Sequence, residues 1–139
     1  MSVERTFSII KPDAVAANQA GEILAMIQQA GFRILALRMT RLTEAQAQAL
    51  YAVHRERPFF AGLVKFMTEG PIVVMALERE DAVKKLRDVM GATNPANAAE
   101  GTIRKRFAEN IERNCIHGSD APETAAVELA FFFRTAELL

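Results

Sequence analysis

Residues 113–120, RNCIHGSD, set one of the chain's two histidines, His117, beside a glycine, a hydroxyl and a carboxylate. Three roles are open to it: a reactive imidazole, a metal ligand, or a structural imidazole in a tight turn. A structural zinc site takes four ligands of Cys or His type. One cysteine and two histidines cannot supply them, so the ligand role falls away. The residue types leave the other two open. A ring nitrogen at neutral pH can accept a phosphoryl group and form a covalent intermediate. Gly118 would let a bulky group come close, and Ser119 with a carboxylate would fix the imidazole tautomer. Cys115 would face the same side as His117 in an extended segment. A nucleophilic thiol needs an electropositive, accessible setting, and nothing here demands more than a small buried filler.

Cations form a second pattern. Lys11 closes an apolar run, Arg87 lies late in residues 81–90, and Arg104 lies within GTIRKRF. Thr93 follows Gly91, where N–H groups and a hydroxyl could meet an anion. Alone, each charge reads as a solvated surface group. Together, from separate elements, they could clamp a polyphosphate, because phosphoryl transfer needs positioning and charge neutralisation above all. Neither a P-loop nor a G-x-G-x-x-G run is present. A metal would therefore arrive as Mg2+ on a substrate phosphate. Tyr51, the only tyrosine, reads as a core ring with a wet hydroxyl. Phe59, after Pro58, is core by default and a stacking platform for a base if exposed.

The elements that must position these groups can be read from periodicity. Residues 3–10, VERTFSII, alternate as a strand, with Phe7 and Ile9 on one face and Thr6, Ser8 and Ile10 on the other. Residues 19–30 carry Ile23, Met26, Ile27 and Ala30 at helical spacing and stop at Gly31. Residues 32–41 read as a second strand. Thr43 and Gln46 form a capping box. Residues 58–68 read as a helix entered through proline, and GPIVVMALE as a central strand. Val83, Leu86 and Met90 line a helix that ends at Gly91. Residues 91–119 are the least regular, and a loop of that length is functional or disordered in most domains. Asp120 and Glu123 signal a helix start near 121, and LAFFF, residues 129–133, reads as a final strand. The order fits an α+β ferredoxin-like sandwich, a four-stranded antiparallel sheet covered by helices over one face.

Length and composition bound the rest. The 139 residues suit one domain over 1–139, and half are apolar. Seventeen basic residues balance seventeen acidic ones, which argues against nucleic acid as the main partner. A lone cysteine suits a reducing, cytoplasmic compartment. The opening MSVERTFSIIKPD lacks a signal peptide's apolar segment, and no stretch approaches a membrane span of about 18 apolar residues.

RNCIHGSD resembles the active-site signature of nucleoside diphosphate kinases. The blocks ERTFSIIKPDAV, YAVHRERPFFAGLVKFMTEGPIVVMALE, GATNPANAAEGTIR and VELAFFF resemble the same family, in order along nearly the whole chain. The resemblance implies transfer of the γ-phosphate from nucleoside triphosphates to diphosphates, ping-pong through a phosphohistidine at His117, with Mg2+ on the nucleotide. It implies that Lys11 contacts the sugar hydroxyl and the reacting phosphate, that Asn114 binds the ribose, and that Arg87, Thr93 and Arg104 clamp phosphates. Tyr51 would stand beside His117. Phe59 would stack on the base with Ile111 on its other side. Ser119 and Glu128 would orient the histidine, the helix turning back near its end to bring Glu128 there. The family forms homo-oligomers, and a bacterial tetramer is expected here over a dimer or hexamer. Glu100, Lys105, Arg106, Ala121 and Pro122 depart from the usual pattern and bear on the loop and on subunit contacts. Two rivals share the fold: a non-catalytic nucleotide-binding module, and a nucleic-acid-binding protein using IRKRF as a basic patch.

Overall fold

The alternation of VERTFSII divides the molecule. The structure, a computed structural model, describes residues 2–138. Strand β1, Val3–Ile10, is followed by the short helix α1, Pro12–Ala16, and by α2, Ala20–Gln29. Next come β2, Arg33–Thr40, helices α3, Glu44–Leu50, and α4, Phe60–Met67, and strand β3, Ile72–Glu80. Helix α5, Ala82–Met90, precedes α6, Ile103–Phe107; β4, Ile116–Gly118, and α7, Pro122–Phe132, complete the chain. The four strands pair antiparallel in the order β2-β3-β1-β4, so β1 is central and β4 an edge. This is the ferredoxin-like βαββαβ arrangement, with α3 and α4 inserted between β2 and β3 and α7 appended.

Phe7 and Ile9 enter one core with Val74 and Ala76 of β3, under Ala47 of α3, Val64 and Met67 of α4 and Leu129 of α7. Ile10 enters the other with Met75 and Leu77, under Ile23 and Ile27 of α2 and Leu86 and Met90 of α5. Helices therefore cover both faces of the sheet, not one. The sheet needs both covers because residues 6–10 of β1 and 72–77 of β3 are buried on both faces. Other local expectations hold. The Thr43 hydroxyl accepts from Gln46 N–H and the Gln46 side chain accepts from Thr43 N–H, closing the capping box. Gly31 and Gly91 take φ of +90° and +87° after α2 and α5, a conformation that favours glycine.

Two sequence expectations fail. LAFFF is not a strand: residues 129–132 are the last turn of α7, and Phe133 closes it. A short apolar run cannot be told from a buried helix end by periodicity alone. Phe132 stacks on Phe7 with ring centroids 5.0 Å apart, and Phe133 meets Phe7 edge-on. The fourth strand is instead Ile116–Gly118, inside the segment read as a loop. That segment, 91–119, also holds α6, whose first turn is capped by the Thr102 hydroxyl accepting from Lys105 N–H.

Candidate active site

Register places His117. Strand β4 pairs with β1 so that Ser8 faces Gly118, Ile9 faces His117 and Ile10 faces Ile116. Cross-strand partners share a face. His117 therefore points with Ile9 and Phe7 toward α3, α4 and α7, and Ile116 and Gly118 point toward α5. A slip of one residue would exchange them. The Ser8 hydroxyl donates to the His117 carbonyl at 2.7 Å, tying strand to strand. Gly118 does not make room for a substrate. A methyl there would lie 2.5 Å from Met90 Sδ and 3.0 Å from Leu86 Cδ2, so the missing side chain lets α5 press against the strand.

The imidazole is oriented from α7. His117 Nε2 donates to Glu128 Oε1 at 2.9 Å, and the Ser119 hydroxyl donates to the same oxygen at 2.6 Å. A carboxylate only accepts, so the proton sits on Nε2 and Nδ1 keeps a free lone pair. Both side chains are mostly buried, at 19% and 16% exposure. Glu128 lies mid-helix rather than near the end, because α7 runs on to Phe132. The Tyr51 ring stands edge-on to the imidazole at 6.3 Å. Its hydroxyl is buried, with no partner among the described residues. Burial first, and the charge of Glu128 second, push its pKa well above the phenol range. It thus stays a protonated donor.

Two of the three cations are buried, against the expectation for single charges. Lys11 is 8% exposed and Arg104 5%. Lys11 Nζ donates to the Asn114 side-chain carbonyl at 2.8 Å, a neutral partner. Burial, and then repulsion from Arg104, lower the Lys11 pKa from 10.5 to about 8. The Arg104 guanidinium donates to three main-chain carbonyls: Ile116 at 2.7 Å, Gly91 at 3.1 Å and Asn114 at 3.3 Å. Burial lowers its pKa to about 10. Asn114 links these groups. Its amide also donates to the carbonyls of Ile111, at 3.1 Å, and Thr93, at 3.3 Å. Buried charge held by neutral dipoles keeps its attraction for an incoming anion.

Other expected groups form a looser rim. Arg87 is exposed and reaches the Gly118 carbonyl only at 3.4 Å. Thr93 is exposed and lines an open hollow with Arg87, Gly91 and Thr102. Phe59 and Ile111 are 49% and 52% exposed. Phe59 thus proves to be a surface ring, beside His54 at 5.3 Å and under Arg57 at 5.8 Å.

Cys115 does not share the side of His117. It takes φ +64° and is fully buried against α5, α2 and β3. Burial pushes its thiol up to about 12, so it is not a thiolate at neutral pH. Two contributors went unread in the sequence. One is Ser8, whose hydroxyl reads as half of an alternating strand. The other is Asp13, whose carboxylate accepts from Cys115 N–H at 3.1 Å. Its signal was the acid placed just after Pro12 in a helical first turn. Among the described residues no group of three His, Cys, Asp or Glu side chains could hold a metal ion. No helix there is long and apolar enough to cross a membrane.

An antiparallel sandwich whose edge strand presents a carboxylate-held histidine next to two buried cations defines a ferredoxin-like α+β protein that can receive an anionic group. A model of the nucleoside diphosphate kinase family matches residues 4–138. The nucleoside diphosphate kinase of Nitratidesulfovibrio vulgaris is 61% identical over 137 residues, 99% of each chain. That of Halorhodospira halophila is 59% identical over 138 residues, 99% of this chain and 98% of the relative. Among solved structures, the Aquifex aeolicus enzyme superposes with a TM-score of 0.97 at 45% identity, covering 99% of this chain and 100% of the other. The Halobacterium salinarum enzyme in complex with CDP gives 0.95 at 38%, covering 99% and 92%. The chain belongs to the nucleoside diphosphate kinase family and is an enzyme of that kind.

Proposed function

We propose that this single domain, residues 1–139, carries the γ-phosphoryl group between nucleotides on His117 Nδ1. One observation supports this most: Glu128 occupies the Nε2–H, leaving Nδ1 as the ring's only nucleophilic lone pair. Nδ1 attacks the γ-phosphorus, the bond to the bridging oxygen breaks, and the nucleoside diphosphate leaves with that electron pair. A second diphosphate then attacks the phosphohistidine and restores the free ring. Glu128 holds the imidazolium-like charge that develops in both steps, and Ser119 holds Glu128. Lys11 and Arg104, with Arg87 from the rim, neutralise the phosphate oxygens in a loose, in-line transition state, and the Thr93 hydroxyl donates to them. Tyr51 supplies a protonated hydroxyl beside the ring. Asn114 meets the ribose, and Phe59 with Ile111 meets the base.

The chain has no ligand set of its own for a metal among the described residues. Mg2+ would ride on the nucleotide, where it would neutralise phosphate charge. Recognition by an exposed ring, a sugar contact and phosphate cations makes base identity matter little. Incubation with a γ-labelled nucleoside triphosphate is expected to give acid-labile, alkali-stable label that any nucleoside diphosphate discharges. Labelling and transfer by His117→Ala at the parent rate would overturn the proposal.

The chain is also proposed to form a homo-oligomer, a tetramer before a dimer or hexamer. The exposed apolar Leu37 and Met39 on edge strand β2 support self-association. A monomer mass by light scattering at working concentration would oppose it. A cytoplasmic location fits the single buried thiol, and cell fractionation tests it.

A further inference from the structure

The turn before the nucleophile's strand is strained, and one carboxylate holds it. Cys115 takes φ +64°, and Ile116 N–H returns to the Asn114 carbonyl at 2.8 Å. A positive-φ residue spanned by such a bond is a γ-turn of the rare, strained kind. It separates Asn114, which faces Lys11, from His117, which faces Glu128. Both polar backbone groups of Cys115 go to one place, the entrance of α1. Its N–H donates to Asp13 Oδ2 at 3.1 Å, and its carbonyl accepts from Lys11 N–H at 2.9 Å. The second carboxylate oxygen, Oδ1, is buried with no partner among the described residues. Burial accordingly raises the pKa of this carboxyl. A partly buried carboxyl with one unpartnered oxygen is costly to keep, and its hydrogen bond across the turn goes to the strained residue.

We infer that Asp13 is a positioning residue for phosphoryl transfer: its Oδ2 clamps the left-handed Cys115 peptide and so fixes the angle at which His117 and Asn114 leave the turn. The inference rests on His117 as the phosphoryl carrier. What Asp13 contributes to the turn is an acceptor oxygen, which an amide in its place also supplies. Small displacements of a reacting group cost rate steeply, about 100-fold for 1 Å.

The test combines Asp13→Ala, Asp13→Asn and Cys115→Gly in the full chain, reading the rate of His117 phosphorylation and the hydrogen exchange of Cys115 N–H. Asp13→Ala is expected to lower the rate by about 10- to 100-fold in a protein that is still folded. Asp13→Asn is expected to restore most of it and to keep Cys115 N–H protected. Glycine adopts positive φ without strain. In the Cys115→Gly background, Asp13→Ala should therefore cost at least about tenfold less than in the parent. Equal losses in the two backgrounds, or an Asp13→Asn as slow as Asp13→Ala, would overturn the inference. Absence of label from parent protein would instead strike the phosphohistidine itself. The Cys115 exchange rates still judge the clamp in that event: fast exchange in Asp13→Ala alone supports it, and unchanged exchange overturns it.

Discussion

The floor of the site and its rim are built differently. On the floor, Lys11, Arg104, Asn114 and Ser119 are buried, and every one is hydrogen-bonded to a strand, a turn or α7. On the rim, Phe59, Ile111, Arg87 and Thr93 are exposed, and the one side-chain hydrogen bond Arg87 makes among the described residues is long. In the proposed mechanism the floor lies where bonds break, and there a displaced charge loses its effect on the transition state. Of the rim, Phe59 and Ile111 are proposed to meet the base, which does not react, whereas Arg87 and Thr93 are proposed to reach the phosphates. In that reading a stacking ring holds any base without selecting one. The difference predicts that floor substitutions lower kcat and that substitutions at Phe59 and Ile111 raise KM.

The largest effect should follow loss of the floor cation. Lys11→Met is expected to reduce kcat by about 100- to 1000-fold, the range for removing one preorganised stabiliser. The same residue carries a pH signature. Its folded pKa of about 8 lies below the ordinary 10.5. Above about pH 8 it loses the charge proposed to meet phosphate, so kcat/KM, which reports the free enzyme, should fall on that limb. Stability moves the other way. Between those two pKa values the unfolded chain holds a proton that the folded chain has released, so stability rises with pH, by roughly 3 kcal/mol. Urea titrations of nucleotide-free protein across that window should show the rise in the parent and not in Lys11→Met.

Next in size is Gly118→Ala, which drives a methyl into Met90 and Leu86. A loss of about 1–3 kcal/mol in unfolding free energy is expected, with kcat falling as β4 shifts. A fully stable, fully active variant would show that α5 yields easily. Smaller still is Phe59→Ala. Stacking from an exposed ring is worth about 1 kcal/mol, so KM should rise roughly fivefold for every base alike, with kcat unchanged. A fall in kcat would break the division between floor and rim.

Much of this was open to reading in the sequence. The β1 alternation, the α2 stripe, the Thr43 cap and the glycine stops follow local rules, and local structure obeys them. What escaped depended on contacts between distant residues. Three residues cannot show a period, so β4 was hidden in a loop. LAFFF is apolar because α7 packs Phe132 and Leu129 on the sheet, and a strand would show the same letters. The left-handed Cys115 has no signature, since glycine or asparagine would be the usual occupant. The burial of Lys11 and Arg104 could not be read either: Lys11 finds its neutral partner 103 residues along the chain, and Arg104 meets main-chain carbonyls that carry no side-chain signature. Phe59 is the reverse case, a phenylalanine whose exposure only the fold reveals.

The central claim is that Glu128 leaves Nδ1 of His117 as the attacking atom. Phosphorus and nitrogen NMR of the freshly phosphorylated protein, labelled in the imidazole nitrogens, decides it directly. Phosphorus coupled to Nδ1 of His117, with Nε2 still protonated, is the predicted result. Phosphorus on Nε2, or on a residue other than His117, would contradict the account.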